Sequence, residues 1–221
     1  MNNYVLLFIA VITMTFCGVW ADQPESNGGV KTVFYLVRHG ETEWNRHPSR
    51  IEGITDVPLN DLGRSQAYDI KRVLEDIHID VIYSSNLSRA YETAEVISVD
   101  RFQTINIDNR LQGRNFGSWE GVDHDVYKAA PLEALTDVET DQAVRERSFY
   151  ALSDIVKSNP GKTVLVISHA GVIRNIIGHL VNASPPQVMI SNIGYIKLSY
   201  NNSIWVLEEL HDVLLPEPAT R

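Results

Sequence analysis

Two short apolar runs, TVFYLV at 32–37 and TVLVI at 163–167, constrain the fold of this chain most. Neither run shows the strict alternation of a half-exposed strand, and such continuous hydrophobicity is typical of strands buried on both faces of a sheet. Both runs are followed by polar residues that include His39 and His169. A strand buried on both faces needs covering layers on both sides, so the pattern predicts an α/β protein.

Helical periodicity and further short strands alternate along the rest of the chain. We predict helices over 61–77, with Asn60 or Asp61 as N-cap, over Ser88–Ser98, over 141–157, and after Gly171 as far as about Val181. Short strands are predicted over 81–83 and 104–107. A hairpin is predicted from 193–200 with 204–210, and its turn lies around Asn201 and Asn202. The segment 110–131 is punctuated by glycines, lacks a period and is predicted to be a long loop. This alternation predicts a three-layer α/β/α sandwich with a mainly parallel central sheet.

The ends of the chain differ from this middle. Residues 1–21 contain no charged side chain and are mostly apolar, and small residues stand at the first and third positions before a cut after Ala21. We therefore predict a signal peptide over 1–21 and export to a secreted or periplasmic location, with an uncleaved anchor as the alternative. We further expect a flexible leader at 22–30, the folded domain at 31–212 and a C-terminal tail at 213–221.

Composition excludes several kinds of chemistry. The 221 residues include 19 Lys+Arg against 28 Asp+Glu, a formal charge of −9, so we expect no nucleic-acid partner. The only cysteine, Cys17, lies in the predicted signal peptide, so the mature chain is expected to have neither disulfide nor thiolate chemistry. After removal of that segment we expect no membrane partner either.

Five segments carry the sequence's most specific information. They read LVRHGETEWN at 36–45, GITDVPLNDLGRSQA at 53–67, IYSSNLSRAYETA at 82–94, FGSWEG at 116–121 and VISHAGVIR at 166–174. In this order the segments resemble the phosphoglycerate-mutase-like branch of the histidine phosphatase superfamily, from about Val33 to Arg174. The resemblance implies the same α/β sandwich and a phosphoryl-transfer site.

The resemblance also implies roles for individual residues. His39 would attack phosphorus and become a phosphohistidine, while Arg38, Arg89 and His169 would hold the phosphoryl oxygens and Asn45 would also contact the phosphate. Such a cluster meets the physical need of a phosphoryl group, whose charge is spread over three oxygens. We expect no metal and no cofactor, because these cations would take the role of a metal ion.

The chain departs from the family pattern at Gly113. Relatives of this branch usually carry Glu at this position as the proton donor to the leaving oxygen, and glycine has no proton to donate. General acid help is typically worth about 10²–10⁴ in rate. Glu52, which stands where relatives commonly have Gln, is one candidate for the missing proton donor. The other candidates are Glu120, Asp123 and His124. The simpler interpretation of each is a solvated loop residue.

The sequence is compatible with three functions. The first is an exported phosphatase acting on a small phosphorylated substrate. The second is a binding or regulatory module that kept the phosphate pocket but lost turnover, an interpretation that Gly113 favours. The third is a phosphoglycerate mutase, which export argues against. The sequence gives neither the particular substrate nor the oligomeric state.

Overall fold

The computed structural model describes residues 29–181 and 188–215. The predicted signal peptide and most of the predicted leader and tail lie outside these ranges. The regular elements are β1 Thr32–Arg38, α1 Asp61–Val73, β2 Val81–Ser84, α2 Ser88–Ser98, β3 Ile105–Ile107, α3 His124–Ala129, α4 Asp141–Ser158, β4 Thr163–Ser168, α5 Ala170–Val181, β5 Met189–Asn201 and β6 Ile204–Leu214.

The strands form one six-stranded sheet in the order β3-β2-β4-β1-β5-β6. The first four strands of this order are parallel to one another, and β5 and β6 add a hairpin whose strand β5 pairs antiparallel with β1. The predicted α/β class with a mainly parallel central sheet is confirmed. None of the helices in the described ranges is long and apolar enough to cross a membrane.

Strand β1 explains why the protein has three layers. Phe34 and Leu36 belong to a core shared with α4 and α5, whereas Tyr35 and Val37 belong to a second core shared with α1 and α2. Because successive side chains of a strand point to opposite faces, one apolar run supplies both cores. Helices therefore cover the sheet on both sides, as the sequence predicts.

Helix α2 has the predicted bounds, and Asn60 caps α1 by accepting a hydrogen bond from the Gly63 N–H at 2.8 Å. Helix α1 ends at Val73, earlier than the predicted 77. The reason is tertiary: the Arg101 guanidinium donates to the carbonyl oxygens of Leu74, at 2.6 Å, and Ile77, at 2.9 Å. The Leu74 carbonyl also accepts from the Ile77 N–H at 3.1 Å, so a tight turn that Arg101 holds follows the helix.

The hairpin is longer than predicted. Strand β5 begins at Met189, which pairs with Leu214, so the folded part extends two residues beyond the expected domain end at 212. The register shifts between Ile190 and Tyr195, and Ile193 adopts a φ of 57°. This bulge breaks the two-residue alternation on which sequence-based strand limits depend.

The segment 110–131 is not entirely loop. It holds the six-residue helix α3, whose first turn is capped by the Asp123 carboxylate accepting from the Asp125 N–H at 2.8 Å. One-turn helices also lie at Asn109–Leu111 and Gly117–Trp119. The prediction of an irregular segment was wrong for α3, because six residues are too few to show a helical period.

Candidate active site

The two histidines that follow the apolar runs meet at the carboxyl edge of the sheet. Strands β1 and β4 are parallel neighbours, with Arg38 opposite Ser168, so the next residue of each strand leaves the sheet at the same point. The rings of His39 and His169 lie with their centroids 5.0 Å apart. Only 2% of His39 and 4% of His169 is exposed, so both imidazoles are nearly sealed from water.

The hydrogen bond of His39 fixes which ring nitrogen is reactive. Nδ1 lies 2.7 Å from the carbonyl oxygen of Gly40, which only accepts, so Nδ1 carries the proton and Nε2 keeps its lone pair. Burial, followed by the charges of Arg89 and Arg38, holds the pKa of His39 well below its usual 6.5. The neutral imidazole therefore has the form of a nucleophile at neutral pH.

In His169 the hydrogen-bonded ring nitrogen is Nε2, whereas in His39 it is Nδ1. Nε2 lies 2.9 Å from Ser85 Oγ, which already accepts from the Leu87 N–H at 3.2 Å and so has its hydroxyl hydrogen available for the imidazole. With Ser85 donating to Nε2, Nδ1 holds the ring proton. Burial and the charge of Arg89 keep the pKa of His169 well below 6.5.

Arg89 enters the site from the first turn of α2, directly after β2. Its Nη1 donates to the Thr55 carbonyl at 2.8 Å and its Nη2 to the Gly53 carbonyl at 2.7 Å. These bonds leave Nε, which is buried and has no hydrogen-bond partner. Burial lowers the pKa of Arg89, against the opposing charge of Glu52, and the guanidinium nevertheless stays charged at neutral pH.

Arg38, the last residue of β1, is held at one end only. Its Nη1 donates to the Ile190 carbonyl at 2.8 Å. Burial and the neighbouring charge of Arg174 lower its pKa to about 10, which still leaves the side chain a cation at neutral pH. Its buried Nε lacks a partner.

Asn45 and Glu52 are brought to the site by Thr42. The Thr42 N–H donates to Asn45 Oδ1 at 3.1 Å, and the Thr42 hydroxyl donates to Glu52 Oε1. The second carboxylate oxygen of Glu52 lies 3.8 Å from His39 Nε2 and 3.7 Å from Arg89 Nε. Glu52 is thus the carboxylate that borders both the candidate nucleophile and a phosphate-binding cation.

Within 29–181 and 188–215, the candidate site concentrates buried donors that have no acceptor. The atoms are Arg38 Nε, Asn45 Nδ2, Arg89 Nε and His169 Nδ1. Since a buried donor without an acceptor is destabilising by about 1–3 kcal/mol, four of them in one site point to an acceptor-rich ligand. The structure thus brings the five predicted site residues into one region at the ends of β1 and β4.

Gly113 lies beside this cluster, on a segment fixed by a residue that sequence reasoning missed. Arg147 of α4 donates to the carbonyl oxygens of Arg110, Gln112 and Gly113 at 2.6, 2.8 and 2.9 Å. Its Nε pairs with Glu139 at 2.7 Å. No sequence signal marked Arg147, since an arginine on an amphipathic helix ordinarily faces water.

Arg174 is a second residue without a predicted role. It belongs to the quoted segment 166–174. Burial is the main cause of the lowered pKa of Arg38, and the charge of Arg174 lowers it further; for His124, burial and Lys128 come before the smaller effect of Arg174. The buried Nε of Arg174 has no hydrogen-bond partner. The cationic character of the site therefore extends from Arg38 toward His124 of α3.

Two of the candidate proton donors have structural duties instead. Glu120 accepts from the N–H groups of Ile54, Thr55 and Phe116 at 2.8, 2.7 and 3.1 Å. Asp123 caps α3 with its carboxylate. These bonds occupy both carboxylates with backbone N–H groups of the surrounding loops. Glu52 is the candidate whose carboxylate the structure places at the nucleophile.

Comparison with known proteins agrees with this geometry. A sequence model of the histidine phosphatase superfamily (branch 1) matches residues 34–213. The chain belongs to the histidine phosphatase superfamily. This match confirms the family resemblance carried by the five segments and extends it through β6.

Relatives of this superfamily member include named phosphatases and mutase-like proteins. It is 34% identical to phosphoglycerate mutase-like protein 4 of Arabidopsis thaliana over 158 residues, 64% of this chain and 67% of the relative. It is 30% identical to a metal-independent phosphoserine phosphatase of Arabidopsis thaliana over 211 residues, 88% and 87% of the two chains. The mycobacterial glucosyl-3-phosphoglycerate phosphatase structure superposes with a TM-score of 0.72 at 26% identity, covering 82% of this chain and 99% of that chain.

Proposed function

We propose that this protein hydrolyses phosphate monoesters through a phosphohistidine formed on His39. The observation that carries the proposal is the set of four buried, unpartnered nitrogen donors in the site that contains His39. A phosphoryl group supplies several acceptor oxygens and negative charge in one small volume, and it matches donors that belong to two arginines, a histidine and an asparagine.

The first half of the reaction transfers the phosphoryl group to the protein. His39 Nε2 attacks phosphorus as the bond to the leaving oxygen breaks, and a proton must reach that oxygen when it belongs to an alcohol. Arg38 and Arg89 stabilise the charge on the phosphoryl oxygens, with His169 Nδ1 as a further donor. The Gly40 carbonyl stabilises the positive charge that develops on the imidazole, because it accepts from Nδ1 at 2.7 Å.

The second half regenerates the protein. Water attacks phosphorus, the bond from phosphorus to His39 Nε2 breaks, and inorganic phosphate leaves. The same donors serve both halves because the phosphoryl oxygens are the common element. No step requires a metal ion in this scheme, since the two guanidinium groups supply the positive charge that phosphoryl transfer needs.

The proposal is tested with p-nitrophenyl phosphate, an aryl ester whose leaving group needs little acid help. The purified protein should release p-nitrophenol, and a rapid quench at alkaline pH should trap a phosphohistidine. His39→Ala should abolish both signals. Turnover that persists in His39→Ala, or that proceeds without a phosphohistidine, would contradict the proposal.

Gly113 favours a second candidate, a phosphate-binding or regulatory module that has lost turnover. Such a protein would bind inorganic phosphate through the same donors but would never form phosphohistidine. Absence of turnover on every ester, together with phosphate binding that Arg89→Met weakens, would establish this alternative. A mutase is the third candidate. It would move the phosphoryl group within a phosphoglycerate rather than release it to water. Chromatography of the products distinguishes the two reactions, because a mutase yields an isomeric phosphoglycerate and a phosphatase yields inorganic phosphate.

Substrate class and location complete the proposal. Relatives named for phosphoserine and for glucosyl-3-phosphoglycerate support a small phosphorylated metabolite as substrate. The uncharged, apolar residues 1–21 support export, with cleavage after Ala21. Mass spectrometry of the secreted protein tests this part, since the mature chain should begin at Asp22; a chain that keeps its first residues would show that the segment is an anchor instead.

A further inference from the structure

We propose that Glu52 donates the proton to the leaving oxygen, in place of a residue at 113. This inference rests on the proposed phosphatase function. It assigns a catalytic role to a carboxyl that enters the site from a different segment of the chain.

The position of Glu52 supports this role. Its Oε2 lies 3.8 Å from His39 Nε2 and 3.7 Å from Arg89 Nε, and its side chain is only 12% exposed. A phosphoryl group between the nucleophile and Arg89 therefore contacts this oxygen. A general acid needs this placement within hydrogen-bond reach of the reacting group, which commonly tightens once the substrate is bound.

The carboxyl is also oriented by its surroundings. Thr42 donates its hydroxyl to Oε1, so one oxygen is anchored and Oε2 is directed into the site. Thr42 itself accepts from the Asn45 N–H at 3.1 Å, which fixes the hydroxyl. Glu120 has no comparable freedom, because three backbone N–H groups already occupy its carboxylate.

Substrate binding explains how the carboxyl acquires a proton. A bound phosphate ester brings a second set of anionic oxygens against Oε2, and two such groups in contact are stable only when they share a proton. The proton enters with the ester and is then in place for the leaving oxygen.

Gly113 makes this arrangement possible. A Cβ on Gly113 would lie 2.4 Å from the carbonyl oxygen of Gly53, the residue next to Glu52. That carbonyl in turn holds Arg89 Nη2 at 2.7 Å. The segment that carries Glu52 therefore packs into the space that a side chain at 113 would fill.

The bond from His39 Nε2 to phosphorus forms, the bond from phosphorus to the leaving oxygen breaks, and the Glu52 proton passes to that oxygen. Glu52 is then a carboxylate. In the second half it accepts a proton from the attacking water and passes it to the inorganic phosphate, which departs, so both residues return to their starting forms.

The test compares leaving groups in Glu52→Gln. We expect the ratio of kcat/KM for p-nitrophenyl phosphate to kcat/KM for alkyl phosphates to rise by about 10²–10⁴, because only the alkyl esters need the acid. Glu43→Gln is the matched control, since Glu43 is 65% exposed and pairs loosely with Arg46 at 3.9 Å. It should leave the ratio as in the wild type.

Two outcomes would overturn the role of Glu52 while leaving the phosphatase intact. One is an unchanged ratio in Glu52→Gln. The other is faster turnover of both ester classes, which would mean that the carboxylate only repels phosphate. Should Glu52→Gln not fold, Glu52→Asp must still raise the ratio, because the shorter side chain withdraws the acid. Failure of the proposed function looks different: the wild type would show no His39-dependent cleavage even of the aryl ester.

Discussion

The guanidinium of Arg147 donates to the carbonyl oxygen of Gly113 at 2.9 Å. The same side chain also holds the carbonyls of Arg110 and Gln112 and pairs with Glu139. One helical residue therefore fixes the backbone of a segment that contacts Arg89 through Gly53. The geometry of the phosphate-binding cluster depends on this link between α4 and the irregular segment after β3.

Arg147→Met should be strongly destabilising. The change removes the donor from three carbonyl oxygens and leaves Glu139 without its closest cation, so we expect a loss of about 2–4 kcal/mol in the free energy of unfolding. Urea denaturation measures this. Lys157→Met on the same helix is the control: Lys157 is 46% exposed with a 3.5 Å pair to Asp154, so its change should stay within about 0.5 kcal/mol. Equal losses in the two variants would show that the bonds of Arg147 to these carbonyl oxygens do not stabilise the fold.

Gly113→Ala tests the close approach of Gly53. The added Cβ would lie 2.4 Å from a backbone oxygen, which forces the two segments apart, and we expect a loss of about 1–3 kcal/mol together with weaker phosphate binding. Gly171→Ala is the matched control because its Cβ would meet the nearest atom, in Arg114, at an ordinary 3.6 Å. Within α5 that change should stabilise by up to about 1 kcal/mol. An unchanged free energy of unfolding in Gly113→Ala would show that the two segments can move apart without destabilising the fold.

The centre of the fold could be predicted because its signals are local. The runs that became β1 and β4 are buried on both faces, and the rule that parallel strands end at one edge brings His39 to His169 without further information. Arg89 was predicted only through the family resemblance, because an arginine at the start of a helix is ordinarily a solvated charge. The limits of β5 could not be predicted, because the bulge near Ile193 is set by pairing with β6.

The parts of the site that escaped prediction depend on distant contacts. Arg147 reaches carbonyls more than thirty residues away in sequence, and nothing in the period of α4 distinguishes it from a solvated arginine. Arg174 belongs to the segment 166–174 that carries the family resemblance, but the sequence predicted no role for it. The orientation of Glu52 depends on Thr42 and on the space left by Gly113, and spacing along the chain encodes neither.

Inorganic phosphate should stabilise the fold through the unpartnered donors. A ligand at one hundred times its Kd adds about 2.7 kcal/mol to the free energy of unfolding, and thermal unfolding with increasing phosphate measures the shift. Arg38→Met should reduce the shift because it removes a buried cation and its free Nε. Arg72→Met is the control, since Arg72 is 75% exposed and pairs with Asp69 on the surface of α1. Phosphate that stabilises both variants equally would be acting as a bulk salt.

The buried histidines should make stability depend on pH in a defined direction. Both His39 and His169 have a pKa well below 6.5 in the folded protein, whereas the unfolded chain binds protons at about that pH. As pH falls below 6.5, these histidines become protonated in the unfolded state but stay neutral in the folded state, so the free energy of unfolding decreases. Each such group contributes up to about 1.4 kcal/mol per pH unit.

His169→Asn should therefore flatten the decline in the free energy of unfolding below pH 6.5 by up to about 1.4 kcal/mol per pH unit. The slope is the informative quantity, because the carboxylates contribute equally to both proteins and any general loss of packing shifts the whole curve. His78→Asn is the control: this side chain is 86% exposed, so its removal should leave the slope unchanged. Phosphate should counteract the decline in the wild type, since a bound anion favours the protonated form of His169. A slope that His169→Asn does not alter would mean that the buried imidazole titrates alike in both states, contrary to its sealed position beside Arg89.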